Sequence, residues 1–201
     1  MTAAAKEPAV YPGIAIKMPV GGMSDEQFYQ FCNLNPDLRI ERTADQYILL
    51  MAPTNSDTGK RNFTLSGELY IWNKKYKLGE GFDSSTGFKL PNGAERSPDV
   101  AWIQNARWAA IKPEQRLRFA PVAPDFVAEI RSGDQSLVYL KEKMEEYMQC
   151  GCRLAWLIDP QSRRTWVYTE NGDIQTIGFD TPLTGGEVMP DLEIRMAEIF
   201  D

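Results

Sequence analysis

Apolar and polar positions along this chain follow two rhythms, one of period near 3.6 and one of period 2, and their succession predicts the elements. "SDEQFYQF" opens a short helix, with Ser24 as N-cap and Gln27 three residues on, the pair that forms a capping box. "RIERTADQYILLMAP" reads as a hairpin, two strand-like runs around a polar turn, the second ended by Pro53. A longer helix is predicted over 57 to about 78. There Phe63, Gly67, Tyr70, Ile71 and Lys74 fall near the 3, 4 and 7 spacings, and Gly79 and Gly81 stop it. In "GFDSSTGFKLPNGAERSPDVAWI", Asn92-Gly93 signals a turn and "DVAWI" a strand. "ARWAAIKPEQRLRFAPVAP" is a polar, proline-bounded excursion with room for one short helix.

The second half is more regular. "DFVAEIRSGD" contains a short apolar run, and a helix from Ser136 to Gln149 follows, with Gly151 just past its end. "RLAWLID" is an apolar strand closed by Pro160, "RTWVYTENGDIQTIG" a hairpin around Asn171-Gly172, and "MAEIFD" a short tail helix. Two strands joined by a helix make a βαβ unit, so "FVAEIRS" and "RLAWLID" are expected to pair in parallel. The order of elements predicts an α/β (α+β) domain, a mixed sheet flanked by helices, over 21–201, behind a loose arm at 1–20.

Composition narrows this picture. The 201 residues, 43% apolar and 25% charged, suit one folded domain. No run approaches the roughly 18 apolar residues of a membrane helix. The opening "MTAAAKEPAVYPGIAIKMPVGG" lacks the apolar centre of a secretory signal. Cys32, Cys150 and Cys152 are too few and too irregularly spaced for a disulfide framework, so a reducing cytoplasm is expected. The absence of histidine removes Ser-His-Asp and Cys-His catalysis and every His-containing metal site. Neither standard glycine-rich phosphate loop occurs. A net charge of −6 disfavours a surface sticky to nucleic acid everywhere, while leaving room for a local basic groove.

Chemistry then falls to carboxylates. Glu129 sits inside the run Phe126, Val127, Ile130, where an ionised carboxylate is costly unless paired or bound to a metal. Asp99 follows Pro98 at the entry to another apolar strand. If those strands are neighbours, the two carboxylates can share a hard cation, which takes oxygen ligands from one or two protein carboxylates and from water. The plainer alternative has Asp99 capping a turn and Glu129 facing solvent.

"SPDVAWI", "PDFVAEIRSGDQS" and "KEKMEEYMQCGCRLAWLIDP", in this order and with "FDSSTGFKLPNG" before them, resemble the bacterial Uma family of restriction-endonuclease-like proteins, within the PD-(D/E)XK nuclease superfamily. The resemblance covers about Pro19 to Tyr168. It implies a restriction-endonuclease-like fold with a central mixed β-sheet, and a site at one edge of a bent hairpin. It implies Asp99 and Glu129 as ligands of Mg²⁺ or Mn²⁺, joined by the carbonyl of Ile130. Glu68 stands where many superfamily members carry a further metal-linked Glu, although its ordinary reading is a solvated helix position. Related proteins often form dimers, so a homodimer is an expectation of the same kind.

One residue departs from the pattern. Where the superfamily places Lys two residues after the Glu, this chain has Arg131, which can stabilise a phosphate but cannot readily give up a proton. Lys143 aligns with a lysine that recurs in the Uma family. On the helical wheel Leu137, Leu140, Met144, Tyr147 and Met148 form one apolar arc, with Lys141 and Lys143 on opposite flanks, roughly 70 to 90° from its centre. The ordinary reading of Lys143 is solvent exposure or an ion pair with Glu146. "NKKYK" (73–77), Lys60 and Arg61 are candidate backbone contacts for nucleic acid; Cys150 and Cys152 read as inert, and Asp159 as a turn cap. The leading expectation is a metal-dependent endonuclease acting on DNA. The alternatives are a nuclease fold that has lost catalysis and binds nucleic acid or a protein partner, or a subunit that needs a partner to be active.

Overall fold

The computed structural model describes residues 11–133 and 135–200. Its strands are β1 (Ile14–Lys17), β2 (Arg39–Arg42), β3 (Tyr47–Met51), β4 (Gly79–Phe82), β5 (Phe88–Lys89), β6 (Glu95–Arg96) and β7 (Val100–Gln104). After these come β8 (Phe126–Ile130), β9 (Leu154–Asp159), β10 (Arg164–Thr169), β11 (Ile174–Gly178), β12 (Leu183–Thr184) and β13 (Glu193–Ile194). The helices are α1 (Asp25–Leu34), α2 (Ser56–Tyr76), α3 (Asn105–Ala110), α4 (Pro113–Arg116), α5 (Leu137–Gln149) and α6 (Met196–Phe200). None of the described helices is long and apolar enough to cross a membrane.

The strands divide between two main sheets. A five-stranded antiparallel sheet runs β1-β3-β2-β6-β5, and a six-stranded mixed sheet runs β11-β10-β9-β8-β7-β4. Within the larger sheet β8 and β9 are parallel, with Glu129 opposite Leu157, and α5 makes the crossover between them. The expected mixed sheet with flanking helices is therefore present, and the "RIER" hairpin belongs to a second sheet beside it. The short passage Ser97-Pro98-Asp99 carries the chain from β6 in one sheet to β7 in the other.

Alternation along the central strands fills both faces. Trp102, Phe126, Ala128 and Trp156 face Leu65, Leu69 and Trp72 of α2 and the C-terminal elements, while Ala101, Val127, Ala155 and Leu157 face Leu140, Met144 and Tyr147 of α5. Burial on both faces explains why β8 and β9 read as continuous apolar runs. Glu129 lies on the α5 side, between Val127 and the end of its strand.

Local signals set several boundaries. Ser24 accepts a hydrogen bond from the Gln27 amide and the Gln27 side chain returns one from the Ser24 amide, completing the capping box. Asn92-Gly93 and Asn171-Gly172 turn their hairpins with both glycines at positive φ. Three expectations need correction. Residues 11–20 are not a loose arm throughout, because β1 pairs with β3 from Ile14↔Leu50 to Lys17↔Tyr47; residues 1–10 lie outside the described part. α2 ends at Lys77 in the left-handed conformation (φ 55°), and Gly79 and Gly81 enter β4 instead of stopping the helix. The face that α2 buries is the Thr58, Leu65, Leu69, Trp72 stripe, whereas Phe63, Tyr70 and Ile71 point outward. The helix carries two apolar stripes, and the bulkier Leu/Trp one takes the sheet.

Gly79 shows how tightly α2 is joined to that sheet. A Cβ there would lie 2.2 Å from the Ile103 carbonyl oxygen and 2.5 Å from the Trp102 ring. Asn73 of α2 clasps the same point, accepting from Trp102 Nε1 at 3.0 Å and donating to the Gly79 carbonyl at 2.7 Å. Gly79→Ala is expected to cost about 2 kcal/mol through overpacking, measured as a lower urea midpoint with an unchanged slope.

Candidate active site

The two sheets meet along a buried polar seam, and the carboxylates singled out above lie on it. Asp99 is only 7% exposed and Glu129 6%. Asp99 Oδ2 accepts the Ile130 amide at 2.8 Å, which fixes the start of β7 against the end of β8. Its Oδ1 accepts from Asn62 Nδ2 at 3.1 Å and from Arg39 Nη2 at 3.4 Å. Glu129 Oε1 pairs with Lys143 Nζ at 2.6 Å and lies 3.4 Å from the Tyr147 hydroxyl. Asp99, Glu129, Ile130, Arg39 and Lys143 line one cleft of about 210 Å³. A larger hollow of about 590 Å³ lies on the other side of Lys143, with Arg96 and Tyr139 in its wall.

Lys143 is neither solvent-exposed nor paired with Glu146, the two ordinary readings of it. Its ammonium also donates to Glu41 Oε1 at 3.0 Å, and Glu41 accepts from Arg96 Nη1 at 3.1 Å and from the Ser97 amide at 3.0 Å. Glu146 takes Arg96 Nε at 2.7 Å. The result is one chain of charges, Glu146–Arg96–Glu41–Lys143–Glu129, running from the rim of α5 through β6 and β2 to β8. The buried arc of α5 is accordingly rotated from the expected one, to Tyr139, Leu140, Lys143, Met144 and Tyr147. Lys141 instead lies over the Trp166 ring, 4.5 Å from its centre.

Burial and neighbours set the protonation of this chain. Burial pushes Glu129 up to about 7; Asp99 and Glu41 add to that rise and Lys143 opposes it. Burial would raise Glu41 too, but Lys143, Arg96 and the Ser97 amide outweigh it and bring Glu41 down to about 2. Burial would lower Lys143, and Glu129 and Glu41 overcome this, holding the ammonium charged well above its ordinary range. Lys143 is a fixed cation.

The sequence-derived residues thus separate into two groups. Asp99, Glu129, Ile130 and Lys143 come together at the cleft. Arg131 does not line it: Nη1 donates to Asp159 Oδ2 at 3.1 Å and Nε to the Gln135 carbonyl at 2.9 Å. Asp159 also caps the turn it opens, accepting from the Gln161 amide at 3.1 Å. Glu68 is exposed on α2 and is not among the residues lining the cleft. Cys150 and Cys152 are free thiols, and burial pushes Cys152 up to about 12.

Sequence reasoning missed Arg39, Glu41 and Asn62. The strand "RIER" held the signal for the first two: charges at 39 and 41 share one face of a strand, and both turn inward here. Asn62 showed none, being one polar residue in a helix.

The donor set suits a hard dication. Asp99 and Glu129 supply carboxylate oxygens in one cleft; Asn62, which donates to Asp99 and keeps its Oδ1 buried without a hydrogen-bond partner, is not among the residues lining it. Among the described residues no three or more Asp, Glu, Cys or His form a closed cage, so a cation here would rely on two carboxylates, neutral oxygens and water, as Mg²⁺ commonly does.

Comparison with known proteins bears on the family and the fold. The Uma2 family model, described as "Putative restriction endonuclease", matches residues 25–197. No curated protein matches the chain. Four chains of solved structures match, among them a protein from Anabaena variabilis described as a "putative nuclease belonging to DUF820". It superposes with a TM-score of 0.74 at 16% identity, covering 89% of this chain and 97% of that one, which is a likeness of fold.

The charge chain itself can be tested. Glu41→Gln leaves Lys143 and Arg96 short of a buried counter-charge and is expected to cost about 3 kcal/mol at pH 7. Because folding depresses Glu41, its contribution is complete above the ordinary carboxylate value of 4.5 and fades as pH falls toward 2. The stability gap between wild type and E41Q, followed by urea unfolding at stepped pH, should therefore narrow over that window.

Proposed function

We propose that this chain, which belongs to the Uma2 family, is a nuclease that hydrolyses phosphodiester bonds of DNA with the help of a divalent cation, Mg²⁺ or Mn²⁺. The observation that carries this reading is the convergence of Asp99 and Glu129 on one cleft, with Lys143 against Glu129. Asp99 and Glu129 would hold the cation, with the Ile130 carbonyl as a further oxygen donor. The cation, when bound, supplies charge to polarise a water and to offset charge on the scissile phosphate.

The chain's own residues divide the remaining work. Lys143 orients Glu129 and keeps its contacts on Oε1. Its ammonium, held by two carboxylates, acts as a fixed positive charge in the position's electrostatics, not as a proton acceptor. Arg39 presents the guanidinium that the cleft offers a phosphate oxygen. It reaches the cleft from β2, with Nη2 weakly shared between Asp99 and the Ser97 carbonyl (3.4 and 3.2 Å) and Nε buried without a partner. Arg131, turned to Asp159, would fasten the loop after β8 to the end of β9.

A second reading, a nuclease fold that binds nucleic acid without cutting it, draws on the ion pairs themselves: Asp99 and Glu129 already face Arg39 and Lys143. The two readings separate in one series of variants. Mn²⁺ titration calorimetry and plasmid cleavage should both collapse in Asp99→Ala and Glu129→Ala, cleavage by about 100-fold or more. Arg39→Ala should slow cleavage by about 10-fold or more while still binding Mn²⁺, and Arg131→Ala should lose stability of about 1 kcal/mol with little change in rate. Equal Mn²⁺ binding by wild type and both carboxylate variants would remove the metal site. A wild type that binds DNA and Mn²⁺ yet cuts nothing would establish the second reading.

A further inference from the structure

The outward stripe of α2 is used by neither the core nor the cleft. Lys60, Phe63, Gly67, Tyr70, Ile71 and Lys74 fall within about 100° of arc on this helix. Phe63 is 81% exposed, Tyr70 64% and Ile71 63%. Lys60 and Lys74 are exposed among them, with the Lys74 ammonium 5.8 Å from the Tyr70 ring centre. The acidic residues of α2, Asp57 and Glu68, lie outside the arc. In a chain of net charge −6 this is an aromatic and lysine ridge without acids of its own helix.

From this ridge we infer a platform for a nucleic-acid strand with unpaired bases, laid across α2 on its way to the cleft. The inference rests on the nuclease reading for its destination. Exposed rings take the faces of unpaired bases whatever their sequence, while flanking lysines meet the phosphates. Phe63 and Tyr70, seven residues apart, stand about 10 Å apart along the helix axis, a step that one strand can span with a nucleotide between the stacked ones. Asn62 and Thr58, on the adjoining side of the same helix, are at the cleft: Asn62 holds Asp99 and Thr58 lines the wall. Between cleft and ridge the helix surface is low. Gly59 lies between them and Gly67 within the ridge; neither has anything within 4 Å of where a Cβ would stand, so the fold itself does not require glycine at either position. Each costs roughly 1 kcal/mol of helix propensity relative to Ala.

A second copy of the chain fits the ridge less well. An antiparallel two-fold pairing centred on Gly67 sets Lys60 against Lys74, and a parallel one sets each lysine against itself. A polyanion meets both lysines favourably.

The test uses the full chain and two probes. Fluorescence anisotropy with EDTA present compares a labelled single-stranded dT₁₂ with a 12-base-pair duplex, for wild type, F63A/Y70A and K60E/K74E. Hydrolysis of bis(p-nitrophenyl) phosphate with Mn²⁺, a diester too small to reach the ridge, reports the cleft. Both pairs of substitutions are on exposed side chains, and circular dichroism checks their folding. The expected result is tighter binding of dT₁₂ than of duplex by wild type, a loss of about 10-fold or more in dT₁₂ affinity in each variant, and diester hydrolysis equal to wild type in both. Unchanged dT₁₂ affinity in F63A/Y70A, or no dT₁₂ binding by wild type, overturns the platform. So does a wild-type dimer in sedimentation equilibrium that F63A/Y70A abolishes, since a second copy would then cover the ridge. Absence of diester hydrolysis by wild type counts against the nuclease reading alone, and the dT₁₂ comparison still decides the ridge.

Discussion

The buried ammonium of Lys143 is the constraint around which the rest of this molecule is arranged. Its side chain is 4% exposed, and it meets Glu129 from the six-stranded sheet and Glu41 from the five-stranded one. Removing one partner of such a buried pair typically costs 3–5 kcal/mol, because the other charge is left without a counterpart. The two sheets therefore cannot slide past each other without exposing or orphaning a charge. Arg96, itself 6% exposed on its side chain, extends the same requirement to Glu146 at the rim of α5. The seam holds Asp99 and Glu129 in register because the charges on either side of it have no cheaper arrangement.

That seam also explains which parts of the molecule were legible in the sequence. β8, α5 and β9 could be read because each carries its own signal: an apolar run, a capped helical arc, a second apolar run. Asp99 and Glu129 could be paired because both interrupt apolar strands, and the ordered motifs pointed to the same two residues. Glu41 could not be found this way, since its partner Lys143 lies 102 residues further along the chain. Its burial is a property of two sheets meeting, not of either strand. The wheel of α5 placed Lys143 on a flank for a related reason. Periodicity assigns the inner face to apolar residues, and here a charge shares that face because two carboxylates wait there.

α2 was misread in orientation for a different physical cause. Its sequence offers two apolar stripes, and periodicity alone cannot rank them. Packing does: Leu65, Leu69 and Trp72 match the relief of Trp102 and Phe126, and the Trp72 indole also donates to the Pro190 carbonyl at 2.8 Å. The stripe left outside keeps its aromatic residues at the cost of apolar exposure, which is what makes it informative. Glu68 sits on the same helix but six residues beyond Asn62, the residue that reaches Asp99. That is a displacement of about 9 Å along the axis, with a rotation away from the cleft.

The exchange of Lys for Arg after Glu129 acquires its meaning from geometry. A lysine two residues after Glu129 would sit at the end of β8, where the chain leaves the sheet and solvent can exchange protons with it. Arg131 occupies that point and is drawn to Asp159, so the strand end gains a structural tie. Lys143 approaches Glu129 from the helix side, through the packed interior, and is held there by Glu41. An ammonium in that setting has a carboxylate on two sides, and its charge is stabilised, not poised. On the proposed reading, chemistry at this cleft would draw its proton transfer from water in the open part of the cavity, while the protein would contribute Asp99 and Glu129 to localise a cation, the Lys143 ammonium to orient Glu129 and the Arg39 guanidinium to face the substrate. This is electrostatic preorganisation carried by a scaffold whose own stability depends on the same charges. Substitutions in the seam should therefore affect folding and function together, whereas those on the cleft wall, such as at Arg39, can change function alone.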